Sequence, residues 1–193
     1  MTESKKLDES EDIFSTSGGN TYKKYTIGVM DEVYFSDVVQ KESDTPEFCH
    51  MLRSYQPQDV VNLYMGNYGG DCAIGGRLAD AMKSCKARLN VIVDMPCYSM
   101  GSLLALCGDS VTITDGNFLH FHNYTSFAFG KGGELKDSVL HTDRWLDRLV
   151  RRCTMPFLTE AEIKRLQRDK DVYVHWDDKS LRKRLQRHFK GIK

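Results

Sequence analysis

The chain predicts an α/β fold built on a mainly parallel sheet. Three observations carry that reading. Between residues 60 and 122, short apolar runs rich in β-branched side chains alternate with stretches of helical periodicity. Small residues punctuate the changes of period, as at Gly69-Gly70 and Ser99. The resulting strand–helix–strand–helix–strand order is that of βαβ units. With 193 residues, one domain with a substantial core is the simplest organisation.

Residues 1–22 are polar, rich in Ser, Glu, Asp and Gly, and read as a flexible arm. Tyr25-Thr26-Ile27-Gly28-Val29 reads as a first strand, and residues 35–55 as a helix around Phe48, Met51 and Leu52. Residues 60–65 form a buried-type strand that Gly69-Gly70 breaks. Residues 73–85 carry Ile74, Leu78, Ala81, Met82 and Cys85 at helical spacing, and residues 89–94 return to strand character. Residues 99–106 are small and apolar throughout, as a buried helix requires; residues 111–114 and 118–122 are further strands. After the loop Phe129-Gly130-Lys131-Gly132-Gly133, residues 134–152 place Leu135, Val139, Leu146, Leu149 and Val150 on one side of a long amphipathic helix. Thr159-Glu160-Ala161-Glu162 is a capping box opening another helix. Residues 179–193 are strongly basic, with Leu181, Leu185 and Phe189 at i, i+4, i+8. That spacing suits an amphipathic helix packing on a neighbouring subunit; a nucleic-acid or membrane-surface element is the rival reading.

Lys+Arg and Asp+Glu are both 27, so the formal net charge is zero and neither nucleic acid nor an anionic membrane is expected as the main partner. No apolar run reaches the length of a membrane span, and residues 1–12 lack the apolar region of a secretory signal. The six Cys form no C-x-x-C pair, which disfavours zinc and suits a reduced, cytoplasmic chain.

The chemistry centres on Ser99. A Ser before a helix is ordinarily an N-cap. Here Met100 and Gly101 follow, and a helix starting there turns free N–H groups and a positive dipole end toward a developing oxyanion. Gly70 can bring its own N–H close to a substrate carbonyl because no side chain intervenes. No G-x-x-x-x-G-K-[ST] pattern is present, so a phosphate-binding loop is not a rival. For the general base, His120 and His122 lie two apart on one strand face; His122, at the strand end beside Asn123, is preferred. For the acid, Asp169 and Asp171 compete; Asp171 is preferred because Val172-Tyr173-Val174 follows it into the core.

Together these stretches resemble the proteolytic subunit of the ATP-dependent Clp protease, peptidase family S14. That family carries N-S-P-G-G-S, A-S-M-G and I-H-Q-P segments and an Asp shortly before an aromatic residue. This chain reads Gly66-Asn67-Tyr68-Gly69-Gly70-Asp71, Tyr98-Ser99-Met100-Gly101, Phe121-His122-Asn123-Tyr124 and Lys170-Asp171-Val172-Tyr173. The resemblance covers about residues 23–176. It implies the ClpP/crotonase-like fold of repeated ββα units with a protruding handle helix. Residues 1–22 would be the axial arm, 23–178 the peptidase domain with its handle at 124–154, and 179–193 a basic tail. It also implies Ser99 as nucleophile, His122 as base and Asp171 as its orienter, with the N–H groups of Gly70 and Met100 as the oxyanion hole. The expected assembly is a heptameric ring, doubled into a tetradecamer, served by a hexameric AAA+ unfoldase. ATP would be used by that partner, and the chain itself would need no cofactor or metal. Unfolded polypeptides would be the substrates.

The chain also departs from the family pattern. Tyr68 and Tyr124 replace the usual Pro residues, and the A-x-E-A segment expected after Asp171 gives way to His175-Trp176-Asp177-Asp178. The divergence fits a bacteriophage-encoded member, acting in its host's cytoplasm. Two other functions share the fold. One is a catalytically silent or modulatory ring subunit, against which the intact Ser, His and Asp argue. The other is a crotonase-type acyl-CoA enzyme, which ordinarily uses Glu and no nucleophilic Ser.

Overall fold

The computed structural model describes residues 12–15, 21–24, 28–39 and 45–190, with side chains over 28–36 and 45–190. Most of the predicted N-terminal arm therefore lies outside the described residues, as do residues 25–27 of the predicted first strand. Within the arm, β1 (Asp12–Ser15) pairs antiparallel with β2 (Thr21–Lys24). Then follow β3 (Met30–Val39), α1 (Thr45–Ser54), β4 (Val60–Gly70), α2 (Cys72–Lys83) and β5 (Arg88–Val93). Next come β6 (Cys97–Tyr98), α3 (Met100–Ala105), β7 (Ser110–Ile113) and β8 (Phe118–Phe121). The chain continues through α4 (Gly132–Thr154), α5 (Glu160–Leu166), β9 (Val172–His175) and α6 (Leu181–His188).

The main sheet is parallel and four-stranded, in the order β3-β4-β5-β7. A second sheet orders β6-β8-β9, with β6 parallel and β9 antiparallel to β8. The α/β prediction therefore holds. Val61, Leu63 and Met65 of β4 and Leu89, Val91 and Val93 of β5 are buried at every second position. Each such side chain contributes about 2 kcal/mol by leaving water. Asp71 caps α2, its Oδ1 accepting from the N–H groups of Ala73 (2.8 Å) and Ile74 (2.9 Å). Leu78, Ala79, Ala81 and Met82 then bury one face of that helix.

The N-terminal assignment needs correction. The strand begins at Met30 and runs through Phe35, where a helix was expected; α1 starts only at Thr45. Val33 and Phe35 alternate with the exposed Glu32, Tyr34 and Ser36, a period of two, and pair with Leu63 and Met65 of β4. The helical spacing around Phe48 and Leu52 is real, but Pro46 in the first turn marks its start. Phe35 packs on Phe48 at 5.0 Å between ring centroids, so apolar residues of two different elements meet on one core and mimic a single helical face.

The long helix α4 appears where expected, longer by two residues at each end. Only Leu146, Leu149, Cys153 and Thr154 along it are buried. Val139, Leu140 and Trp145 are exposed, and Phe127 and Phe129 in the preceding loop almost wholly so.

The basic tail differs from expectation. Helix α6 lies on this chain's own core, with Leu181, Leu185 and Phe189 packed against it. Arg184 binds Glu162 through Nη2 at 2.7 Å and donates through Nη1 to the Phe157 carbonyl at 3.2 Å. His188 Nε2 lies 2.8 Å from the Leu106 carbonyl. The capping box of α5 thus acquires a tertiary role: Glu162 accepts from the Thr159 N–H at 2.8 Å and from Arg184. Burial opposes ionisation of Glu162, but Arg184 and Thr159 outweigh it and hold the carboxyl near 2, against an ordinary 4.5. A carboxylate depressed on folding stabilises the fold above its unfolded value and loses that contribution as pH falls toward the folded one. Glu162→Gln should therefore flatten the loss of stability between about pH 5 and pH 2. Arg184→Met should lower stability at neutral pH by roughly 1–2 kcal/mol, because it removes the cationic partner of a part-buried carboxylate that keeps only its Thr159 bonds. Urea unfolding followed across pH checks both.

Candidate active site

Three connections converge at one end of the sheets. The first is the end of β4. Gly69 has φ +92°, and a Cβ there would lie 2.6 Å from Ser99 Cβ and 3.1 Å from the Met100 nitrogen, so only glycine fits. Its N–H donates to Asn67 Oδ1 at 2.8 Å, which fixes the turn from inside.

The second connection is the single residue between β6 and α3. Ser99 has φ 53° and ψ −125°, a conformation that L side chains seldom adopt. The surroundings hold it there. Its N–H donates to the His120 carbonyl at 2.8 Å, and its carbonyl accepts from Ser102 and Leu103. The buried Ser102 hydroxyl donates to the Cys97 carbonyl at 2.8 Å and accepts from the His120 N–H at 3.0 Å. The Ser99 hydroxyl makes no capping bond and is left for other work.

The third connection leaves β8. His122 follows the last residue of that strand and, with Ser99, Gly70 and Met100, lines one cavity of about 260 Å3. Leu103, Leu146, Val150 and Ile163 supply apolar wall. Asp147, also in the lining, is held by Arg151 Nε at 2.8 Å and Gln167 Nε2 at 2.9 Å.

The predicted acid sits differently. Asp171 Oδ2 lies 3.0 Å from His120 Nε2. Among the described residues no hydrogen bond joins His122 to Asp171 or to Ser99. Asp169, the rival carboxylate, accepts from Asn123 Nδ2 at 2.9 Å, its backbone at φ +55°. The structure thus gathers Ser99, His122, Gly70 and Met100 at one cavity and leaves Asp171 one imidazole away. His120, the rival to His122 two residues earlier in the sequence, is the histidine that meets Asp171, and the strand face it shares with His122 is the signal for its part here.

A parallel α/β sheet that feeds a strained serine turn beside a histidine-bearing strand is the framework of a ClpP-like protease. Residues 19–149 match the family model described as Clp protease, and the chain belongs to that family. The matched segment includes Gly70, Ser99, Met100 and His122, whereas Asp171 lies beyond it. Among the described residues no helix is long and apolar enough to cross a membrane.

Proposed function

We propose that the chain is a serine endopeptidase, the proteolytic subunit of an ATP-dependent Clp-type protease. The observation that carries this reading is the cavity where Ser99, held in a strained turn, meets His122 and the backbone of Gly70 and Met100. Ser99 Oγ attacks a peptide carbonyl while His122 takes its proton. The N–H groups of Gly70 and Met100 stabilise the tetrahedral oxyanion. Collapse expels the amine, which receives the proton from His122, and leaves an acyl-enzyme. Water, deprotonated by His122, then releases the acid and restores Ser99. Asp171 orients His122 in the competent state.

The exposed Phe127, Phe129, Val139, Leu140 and Trp145 supply apolar surface suited to self-assembly. In this reading the loop and first half of α4 interlock two heptameric rings, and the sites face an enclosed cytoplasmic chamber. An AAA+ unfoldase of Clp type uses the ATP and threads unfolded polypeptide inward, so the subunit itself takes no cofactor. A silent or modulatory subunit is the second reading, favoured by the missing bond between Ser99 and His122 and by the position of Asp171.

Labelling with a fluorophosphonate, read by peptide mapping, tests the choice. A single adduct on Ser99, absent from Ser99→Ala, is the expected result. An assembled protein that takes up no label would favour the silent subunit.

A further inference from the structure

We propose that His120 is a latch that holds Asp171 away from His122 in the resting subunit. The inference rests on the peptidase reading and names a positioning residue within it. The strand register is the first observation. His120 pairs with Tyr173 and Phe121 with Val172, the last pair of the ladder, so the same register carried one residue further would set Asp171 opposite His122. The carboxylate nevertheless bonds His120, whose side chain is only 12 % exposed, against 44 % for that of Asp171.

The second observation is the packing that holds the His120 ring. It stacks on Tyr173 at 4.3 Å and on His122 at 5.3 Å, and meets Tyr98 edge-on at 5.6 Å. Its backbone N–H is fixed by Ser102 Oγ and its carbonyl by the Ser99 N–H. The ring cannot swing, so the more exposed carboxylate is the mobile partner. His120 Nδ1 is buried without a hydrogen-bond partner, which leaves Nε2 as the ring's single attachment, on Asp171. Arg165 Nη2 donates to the Asp171 main-chain carbonyl at 3.3 Å rather than to its carboxylate. The charged and titratable groups facing His120 are thus Asp171 and Tyr173 from β9 and its approach, His122 beyond its own strand, and Tyr98 from β6.

Releasing Asp171 is a matter of side-chain rotation about a fixed backbone. Once free, the carboxylate reaches His122, fixes its tautomer and stabilises the imidazolium formed during attack. The same serine turn is bonded to the latch strand through the Ser99 N–H, so whatever seats substrate against Ser99 also bears on His120.

Two substitutions at His120 separate latch from scaffold. His120→Phe keeps the stacked ring and removes the donor; His120→Gln keeps a donor close to the Nε2 position. Wild type, both variants and Ser99→Ala would be compared by the fluorophosphonate labelling rate at Ser99 and by kcat/KM for a peptide across pH. His120→Gln is expected to match wild type. His120→Phe should react roughly fivefold faster or more, since Asp171 is freed to orient the base. Its acid limb should also move to higher pH, because a carboxylate beside an imidazole favours the protonated ring. A purely structural role would slow both variants and leave the pH profile in place. Labelled wild type with no gain in His120→Phe overturns the latch alone. Label confined to His120→Phe supports the latch and makes the resting subunit the silent one. No label on Ser99 in any protein overturns the peptidase reading and the latch with it.

Discussion

Ser99→Ala should reduce peptide cleavage by roughly 10^4-fold or more, with the fold and assembly unchanged. The expected loss is large because the hydroxyl would be the atom that forms the covalent bond. Expected stability is near that of wild type for a separate reason. The Ser99 side chain caps nothing, and the turn is held through main-chain bonds that alanine retains. His122→Ala should produce nearly the same loss if His122 is the proposed base, since a general base and its nucleophile act as a unit and their effects do not add. Steady-state cleavage of a fluorogenic peptide, read beside thermal melting and gel filtration, checks both halves of the claim. Substantial cleavage by Ser99→Ala would show that a different group carries the chemistry. A melting point lowered by many degrees would show that the hydroxyl is structural after all.

Gly69→Ala should impair activity and stability together. The new methyl would need to occupy space 2.6 Å from Ser99 Cβ and 3.0 Å from the Tyr98 carbonyl, both parts of a tightly bonded turn. Alanine is also strained at φ +92°. The two effects should cost about 2 kcal/mol or more of stability. Relief would come by pushing the Ser99 turn away from β4, which moves the Ser99 hydroxyl relative to Gly70 and Met100. A displacement of order 1 Å at such a site typically costs roughly 100-fold in rate. Gly116→Ala is the control: it too has positive φ, +82°, but a Cβ there meets nothing within 4 Å. It should lose some stability to backbone strain and keep its rate. Equal losses of rate in the two variants would refute the steric argument. Urea unfolding and kcat/KM for the same peptide provide the comparison.

Much of the molecule was legible in local patterns. The period-two burial of β4 and β5, the helical spacing of α2 and α4, and the Thr159–Glu162 capping box depend on residues a few positions apart. Ser99 and its flanking glycines were legible for a related reason: a sharp passage from strand to helix restricts which residues can stand there. The extended conformation through Phe35 was not legible, because an edge strand and a helix can both present apolar residues to the same core. Pairing with β4 decided between them.

The same division runs through the candidate site and the tail. Composition and spacing select a Ser, two histidines on one strand face and two nearby aspartates. Which aspartate meets which histidine is not a property of spacing, because His120 and His122 share a face and their rings lie side by side. Aromatic packing, which stacks the His120 ring on Tyr173, accompanies its bond to Asp171, although the register of β8 and β9 runs toward His122. For α6, sequence determined an amphipathic basic helix, and tertiary structure alone decided what it covers. Arg184 finds its carboxylate on α5, 22 positions away, and draws the helix onto its own core. Local sequence encodes periods, caps and turns through forces that act within a few residues; partners far apart in the chain are chosen only when the whole core closes around them.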